Sequence, residues 1–200
     1  RFHEMSRNER LVYSGVLTPG GEATLGGLYA LGKMPQAVTP SLGVTAAVQV
    51  IDSERGQNTT AGTSLGELAR TVSTPRVMDL SHFTGPVPEL LEQSLAWVER
   101  NTSKALVYDQ HGHARDLPTF PLAAAREIIA NALVHRSLAP ITDSKRVEIR
   151  IRGSVLSVTS PGGLWGVTAE RLGNPGGKSA VNPMLYEILK NVRTPDGARV

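Results

Sequence analysis

Cysteine is absent from the 200-residue sequence. That excludes a disulfide framework, a thiolate zinc or iron–sulfur site and a cysteine nucleophile, and it makes a reducing, cytoplasmic location the expectation. Long apolar runs are absent too. The longest, such as Leu122–Ala125 and Ile128–Ala130, fall far short of the about 20 residues that span a bilayer, and no signal-peptide pattern opens the chain, so no membrane association is expected. No aromatic residue interleaves with Arg146, Arg150 and Arg152, which leaves no stacking platform for single-stranded nucleic acid along that stretch. An initiator methionine is also missing, and the chain closes at Val200 just after an Asp-Gly pair, so a piece of a longer polypeptide is expected.

What is present suffices for a core. Hydrophobic residues make up 40 % of the chain, enough for one large or two small domains, and 20 glycines with 13 prolines point to many turns. The net charge of +3 is unevenly spread. Residues 1–119 carry 10 basic against 12 acidic side chains, and residues 120–200 carry 11 against 6, so the basic excess lies wholly in the second part.

Along the chain, Thr18-Pro19 reads as a helix start and Gly32 as its stop, with Leu25, Leu28, Tyr29 and Leu31 on the apolar side. Val44, Ala46, Val48 and Val50 alternate as a strand, and residues 52–60 form a polar loop. Residues 61–84 give no clear pattern. A helix is expected from Pro88 to Arg100, a short strand at Leu106–Tyr108, and a turn at His111-Gly112-His113. The strongest helix runs from Pro121 to about Arg136, with Thr119 as its cap. Val147, Ile149 and Ile151, then Val155–Thr159 across Gly153-Ser154, read as a hairpin. Asn182-Pro183 opens a last helix over 183–192.

In the 121–136 helix, Leu122, Ala125, Ile129, Ala132 and Leu133 share one stripe, the core face. Glu127, Asn131 and His135, spaced i, i+4, i+8, form a ridge on roughly the opposite side. Ala124, Ile128 and Val134 flank it, and an acid and an amide among such neighbours suit a sheltered cleft, the carboxylate as a base and the amide oxygen as a ligand for a hard cation. An ordinary solvated face with an incidental Glu and Asn gives the same spacing.

The string Pro121-Leu-Ala-Ala-Ala-Arg126-Glu127-Ile-Ile-Ala-Asn131-Ala-Leu-Val-His135-Arg136, with the following hairpin and Ser160-Pro161-Gly162-Gly163-Leu164, resembles the ATP-binding domain of bacterial Schlafen-type, helicase-related transcriptional regulators. Their C-terminal domain belongs to the GHKL superfamily. Upstream, Leu17-Thr18-x-x-Gly21 with Leu31-Gly32-Lys33-Met34-Pro35-Gln36 is similar to the segment after the Schlafen-type N-terminal module, and Phe83-x-Gly85 with Glu89–Asn101 to the lead-in of the ATPase domain. The resemblance implies a linker region over 1–84 and a C-terminally incomplete ATP-binding domain over 85–200. It implies an α/β (α+β) two-layer sandwich: a mixed sheet containing the 147–159 hairpin, the 121–136 and 183–192 helices on one face, and a smaller α/β linker region before it.

In that family the Glu-x-x-x-Asn helix supplies the base for the attacking water and a Mg²⁺ ligand, which fall on Glu127 and Asn131. The implied nucleotide-binding set is Asn131, His135, Ser160, Gly162, Gly163 and Lys178, with ATP and Mg²⁺ as cofactors. Where the family carries an aspartate for the adenine amino group, this loop reads Ser160-Pro161-Gly162-Gly163, and the Arg before Asn-Pro is Val181. Gly173-Asn-Pro-Gly-Gly-Lys178-Ser179 fails P-loop spacing by one residue, but Gly176, Gly177 and Lys178 suit a loop over a triphosphate. A plain surface loop accounts for them equally.

The expected function is a Mg²⁺-dependent ATP-binding domain of a DNA-associated regulator, with hydrolysis and homo-oligomerisation left open and DNA held through a domain outside this chain. The alternative is a non-catalytic regulatory or scaffold domain with a degenerate nucleotide pocket.

Overall fold

Val147, Ile149 and Ile151 alternate with Glu148, Arg150 and Arg152, and the sheet is built on that period of two. A computed structural model of the chain describes residues 4–50, 76–108, 111, 113–163 and 181–200. It is a mixed α/β fold. Strands β1 (Val44–Val50), β2 (Arg76–Phe83), β5 (Val147–Arg152) and β6 (Val155–Thr159) form a four-stranded mixed sheet in the order β2-β1-β5-β6. A second, two-stranded sheet pairs β3 (Lys104–Tyr108) with β4 (Ala114–Pro118). The helices are α1 (Arg7–Tyr13), α2 (Leu25–Leu31), α3 (Pro35–Val38), α4 (Val87–Asn101), α5 (Leu122–Val134) and α6 (Pro183–Leu189).

β1 runs parallel to β5, with Val44 opposite Val147, Ala46 opposite Ile149 and Val48 opposite Ile151, while the other neighbours are antiparallel. One face of the two inner strands, β1 and β5, is apolar and buried. Against it α4 sets Leu90, Leu91, Trp97 and Val98, and α5 sets Ala125, Ile129, Ala132 and Leu133, so helices and sheet form the expected sandwich. On the opposite face Arg150 and Glu148 make an exposed ion pair at 2.5 Å, worth little to stability. The sheet takes two strands from each side of the 84/85 boundary, and Tyr29, Leu42 and Val44 share a core with Leu133 and Val147. Among the described residues no helix is long and apolar enough to cross a membrane.

Several local readings hold. β1 covers Val44–Val50, and β5 and β6 meet across Gly153-Ser154, where Gly153 takes φ +57°, a conformation that favours glycine. Others are corrected. α2 starts at Thr24, whose hydroxyl accepts from the Gly27 N–H at 2.9 Å, and not at Thr18. Thr18 instead closes a turn: its hydroxyl accepts from Glu22 N and its carbonyl from Gly21 N. Thr119 does not cap α5. Its hydroxyl engages Ser103, and Pro121 stands at the N-cap with no side-chain bond. α6 ends at Leu189, short of residue 192. β2 occupies the stretch that gave no pattern, and the polar loop at 52–60 lies outside the described residues.

Two polar clamps tie the layers together. Asp79 on β2 accepts from Trp97 Nε1 and Asn101 Nδ2 of α4, both at 3.0 Å, and from Ser81 Oγ at 3.1 Å. The second clamp is Arg136, just past α5 and 1 % exposed. Its guanidinium donates to the carbonyls of Ser41 at 2.8 Å and Lys145 at 3.2 Å and lies 5.6 Å from the centre of the Tyr29 ring.

Tyr29 is fully buried, and among the described residues its hydroxyl has no hydrogen-bond partner. Burial pushes its pKa up to about 12, against an opposing pull from the Arg136 cation. Below about pH 10 the phenol is neutral in folded and unfolded chains alike. Between that pH and about 12 only the unfolded chain ionises, so stability drains through this window as pH rises. Tyr29→Phe is expected to remove that share of the alkaline loss and to leave neutral-pH stability unchanged or raised, because no bond is broken. Urea midpoints at pH 8 and 11 measure both. A variant that loses as much as the wild type between the two would place the alkaline sensitivity in other groups.

Candidate functional site

Alanine and long aliphatic side chains give α5 its helix propensity, and its i, i+4 geometry brings Glu127 and Asn131 together. Asn131 Nδ2 donates to Glu127 Oε1 at 3.1 Å. The amide nitrogen is thus turned to the carboxylate, and the amide oxygen keeps its lone pairs for another partner. The ridge is open to solvent, and this corrects the sheltered cleft: Glu127 and Asn131 are exposed, and Ile128 between them is 41 % exposed. Only Val134, at the end of the helix, is buried as a flanking residue should be.

His135 stands at the C-cap of α5, its N–H donating to the Asn131 carbonyl at 2.9 Å. The Ser160–Gly163 loop hangs from this same end of the helix. Ser160 Oγ donates to the Ala132 carbonyl at 2.8 Å, and Ser137 N donates to the Pro161 carbonyl at 2.8 Å. Gly162 takes φ +112°, and a Cβ there would stand 2.8 Å from Ser137 Cβ, so any side chain would push the loop off the helix. Gly163 has open space around it. Lys178, the Gly173–Ser179 stretch and Trp165 lie outside the described residues.

Glu127, Asn131, His135, Ser160 and Gly162 therefore share the last three turns of one helix and the loop attached to it. A groove of about 340 Å³ lies elsewhere, between α4 and the start of α5. Leu95, Ala96, Leu122 and Ala123 floor it, Glu92 and Glu99 edge it, and it contains none of the expected site residues. Arg126, at its rim, donates to the Arg199 carbonyl. At the base of its turn, Asp196 has its carboxyl held below the usual range by hydrogen bonds from Thr194 and Ala198 N.

Among the described residues no group of three or more His, Asp or Glu side chains could hold a metal by itself. Magnesium at a triphosphate needs no such cage, since phosphates and water supply most of its oxygens. The exposed Asn131 amide oxygen fits that role as a single protein ligand. His111 and His113 are both exposed in the β3–β4 connection, their rings 6.2 Å apart.

Sequence spacing did not reveal two neighbours of the ridge. Tyr186 on α6 stacks against His135, with ring centres 6.1 Å apart, and the Asn182 side chain donates to the Arg136 carbonyl. Asn182-Pro183 signalled a helix start, but nothing local indicates which helix end that amide reaches.

No family model and no curated protein matches the chain. It is similar to the crystal structure of the DIP2311 protein from Corynebacterium diphtheriae, with a TM-score of 0.57 and 20 % identity. The match covers 94 % of this chain and 32 % of that one, so the chain spans about a third of that protein's length. At this identity the likeness shows a shared mixed α/β fold and leaves function to be argued from the site.

Proposed function

We propose that the chain is a Mg²⁺-dependent ATP-binding domain whose site is the α5 ridge with the Ser160–Gly163 loop. The observation that carries this reading is the Asn131–Glu127 pair, an amide held by a carboxylate at 3.1 Å on an exposed helix, with a glycine loop hung on the end of that helix. Magnesium, when bound, neutralises phosphate charge. Asn131 is its proposed protein ligand, through the amide oxygen. Glu127 holds a water by its free oxygen and takes the water's proton as the water oxygen bonds to the γ-phosphorus, the bridging bond to the β-phosphate breaks and ADP leaves with its electron pair. Gly162 and Gly163 let the backbone come close to the phosphates, and Lys178 adds a cation. DNA association is proposed mainly for a domain outside this chain, since residues 1–119 carry a net negative charge, with the basic excess of residues 120–200 assisting.

A second reading, a regulatory scaffold that keeps the fold without the chemistry, is favoured by the solvent exposure of Glu127 and by the absence of a carboxylate from the Ser160–Gly163 loop. Calorimetric titration with ATP and Mg²⁺ separates the two. The ATP reading expects binding that Asn131→Ala weakens by about tenfold or more. Glu127→Ala is expected to cut hydrolysis by about 100-fold or more and leave binding within a few-fold. No binding at millimolar ATP would overturn the ATP reading. Binding indifferent to Asn131→Ala would move the metal ligand elsewhere.

A further inference from the structure

The ridge does not end at His135. The His135 and Tyr186 rings face each other with centres 6.1 Å apart and planes 29° from parallel. Tyr186 is 38 % exposed, and Lys190 Nζ, tied to Glu187 at 2.7 Å, sits 4.8 Å from its ring centre. A carboxylate, an amide, an imidazole, a phenol and an ammonium thus follow one another along α5 and onto α6. From Glu127 to His135 the helix rises about 12 Å, the length scale of an extended nucleoside triphosphate.

A flat ring inserted between two others needs about 7 Å, twice the carbon–carbon contact distance. The ring centres, 6.1 Å apart, are closer than that, so a base enters as the partly exposed Tyr186 side chain rotates away from His135. Stacking on aromatic rings accepts any nucleobase, because every base has a π-face, whereas choosing among bases requires hydrogen bonds to their edges. The carboxylate next to Tyr186 in sequence, Glu187, is engaged by Lys190, and the Ser160–Gly163 loop has none to offer an exocyclic amine.

We propose that the His135–Tyr186 pair is the base platform of the nucleotide site and that it takes nucleoside triphosphates by stacking, without selecting adenine over guanine. This rests on the nucleotide reading above and assigns Tyr186 a role in it.

The test is calorimetric titration of the full chain, with Mg²⁺ present, against ATP, GTP and inorganic tripolyphosphate, for the wild type, Tyr186→Leu and Tyr186→Phe. ATP and GTP are expected to bind within about threefold of each other and both about tenfold or more tighter than tripolyphosphate. Tyr186→Leu is expected to lose about tenfold for both nucleotides and nothing for tripolyphosphate, and Tyr186→Phe to retain wild-type affinity. A urea midpoint for each variant checks that the fold is intact. GTP binding more than tenfold weaker than ATP, or Tyr186→Leu without effect on nucleotides, or Tyr186→Phe as weak as Tyr186→Leu, overturns the proposal. Tripolyphosphate binding as tight as ATP overturns the base platform and leaves a phosphate site. Binding of none of the three overturns the nucleotide reading and the platform with it.

Discussion

Arg136→Ala is expected to destabilise the fold by about 4 kcal/mol, and Arg136→Met by about 3 kcal/mol. Replacing a buried ion pair by apolar side chains is often neutral or stabilising, because both charges leave together and their desolvation cost goes with them. That rescue fails here. Among the described residues Arg136 faces no carboxylate, and its acceptors are the backbone carbonyls of Ser41, Lys145 and, at 3.4 Å, Ser137, which no substitution removes. Methionine restores apolar volume but leaves the buried Ser41 carbonyl without a donor, at about 1–3 kcal/mol, and strips the part-buried Lys145 carbonyl of its donor at a smaller cost. Alanine adds a cavity beside Tyr29. Against a total stability of about 5–15 kcal/mol either loss is large. Urea denaturation at pH 7 measures it, and an Arg136→Met midpoint at or above the wild type would mean that the two carbonyls find other donors.

Trp97→Ala is expected to cost about 4 kcal/mol, since a fully buried indole leaves a hole between α4 and the sheet. Part of the loss is the Nε1 bond to Asp79 at 3.0 Å. Trp97→Phe keeps most of the volume and loses the bond, with an expected cost of about 1–2 kcal/mol. Combining it with Asp79→Asn in a double-mutant cycle isolates the pair, with an expected coupling of about 1 kcal/mol. Asp79 keeps Asn101 and Ser81 as donors when the indole is gone, which limits the coupling. Strict additivity would mean that Trp97 acts through packing alone.

The elements legible in the sequence are those whose buried face is apolar at the period of the element. In β5, residues 147, 149 and 151 are all branched aliphatics facing the helices, and in α5 the stripe through Ala125, Ile129, Ala132 and Leu133 is the observed core face. β2 was illegible for the converse reason. Its residues opposite Val44, Ala46 and Val48 are Phe83, Ser81 and Asp79, so the core side is mostly polar. Val77, Met78 and Leu80 are apolar and exposed at this edge. Thr18 and Thr24 look alike locally, and only the approach of the Gly27 N–H distinguishes the cap.

At the site, Glu127, Asn131 and His135 were legible because one helix places them. Their exposure, the stacking of Tyr186 and the burial of Arg136 were not, because each is decided by segments distant in sequence. Arg136 closes a string of residues that reads as a polar helix end, and no spacing distinguishes a solvated arginine from one that crosses to the carbonyl of Ser41.

The parallel pairing of β1 with β5 also sets a timetable. Val44 and Val147 are neighbours in the sheet and about a hundred residues apart along the chain. At about 5–20 residues per second, the ribosome needs about 5–20 s to deliver the second after the first. During that interval β1 can pair with β2 on one side only. An inner strand of the finished sheet therefore spends its first seconds as an open edge, its backbone groups on the β5 side unpaired even after α4 has covered its apolar face.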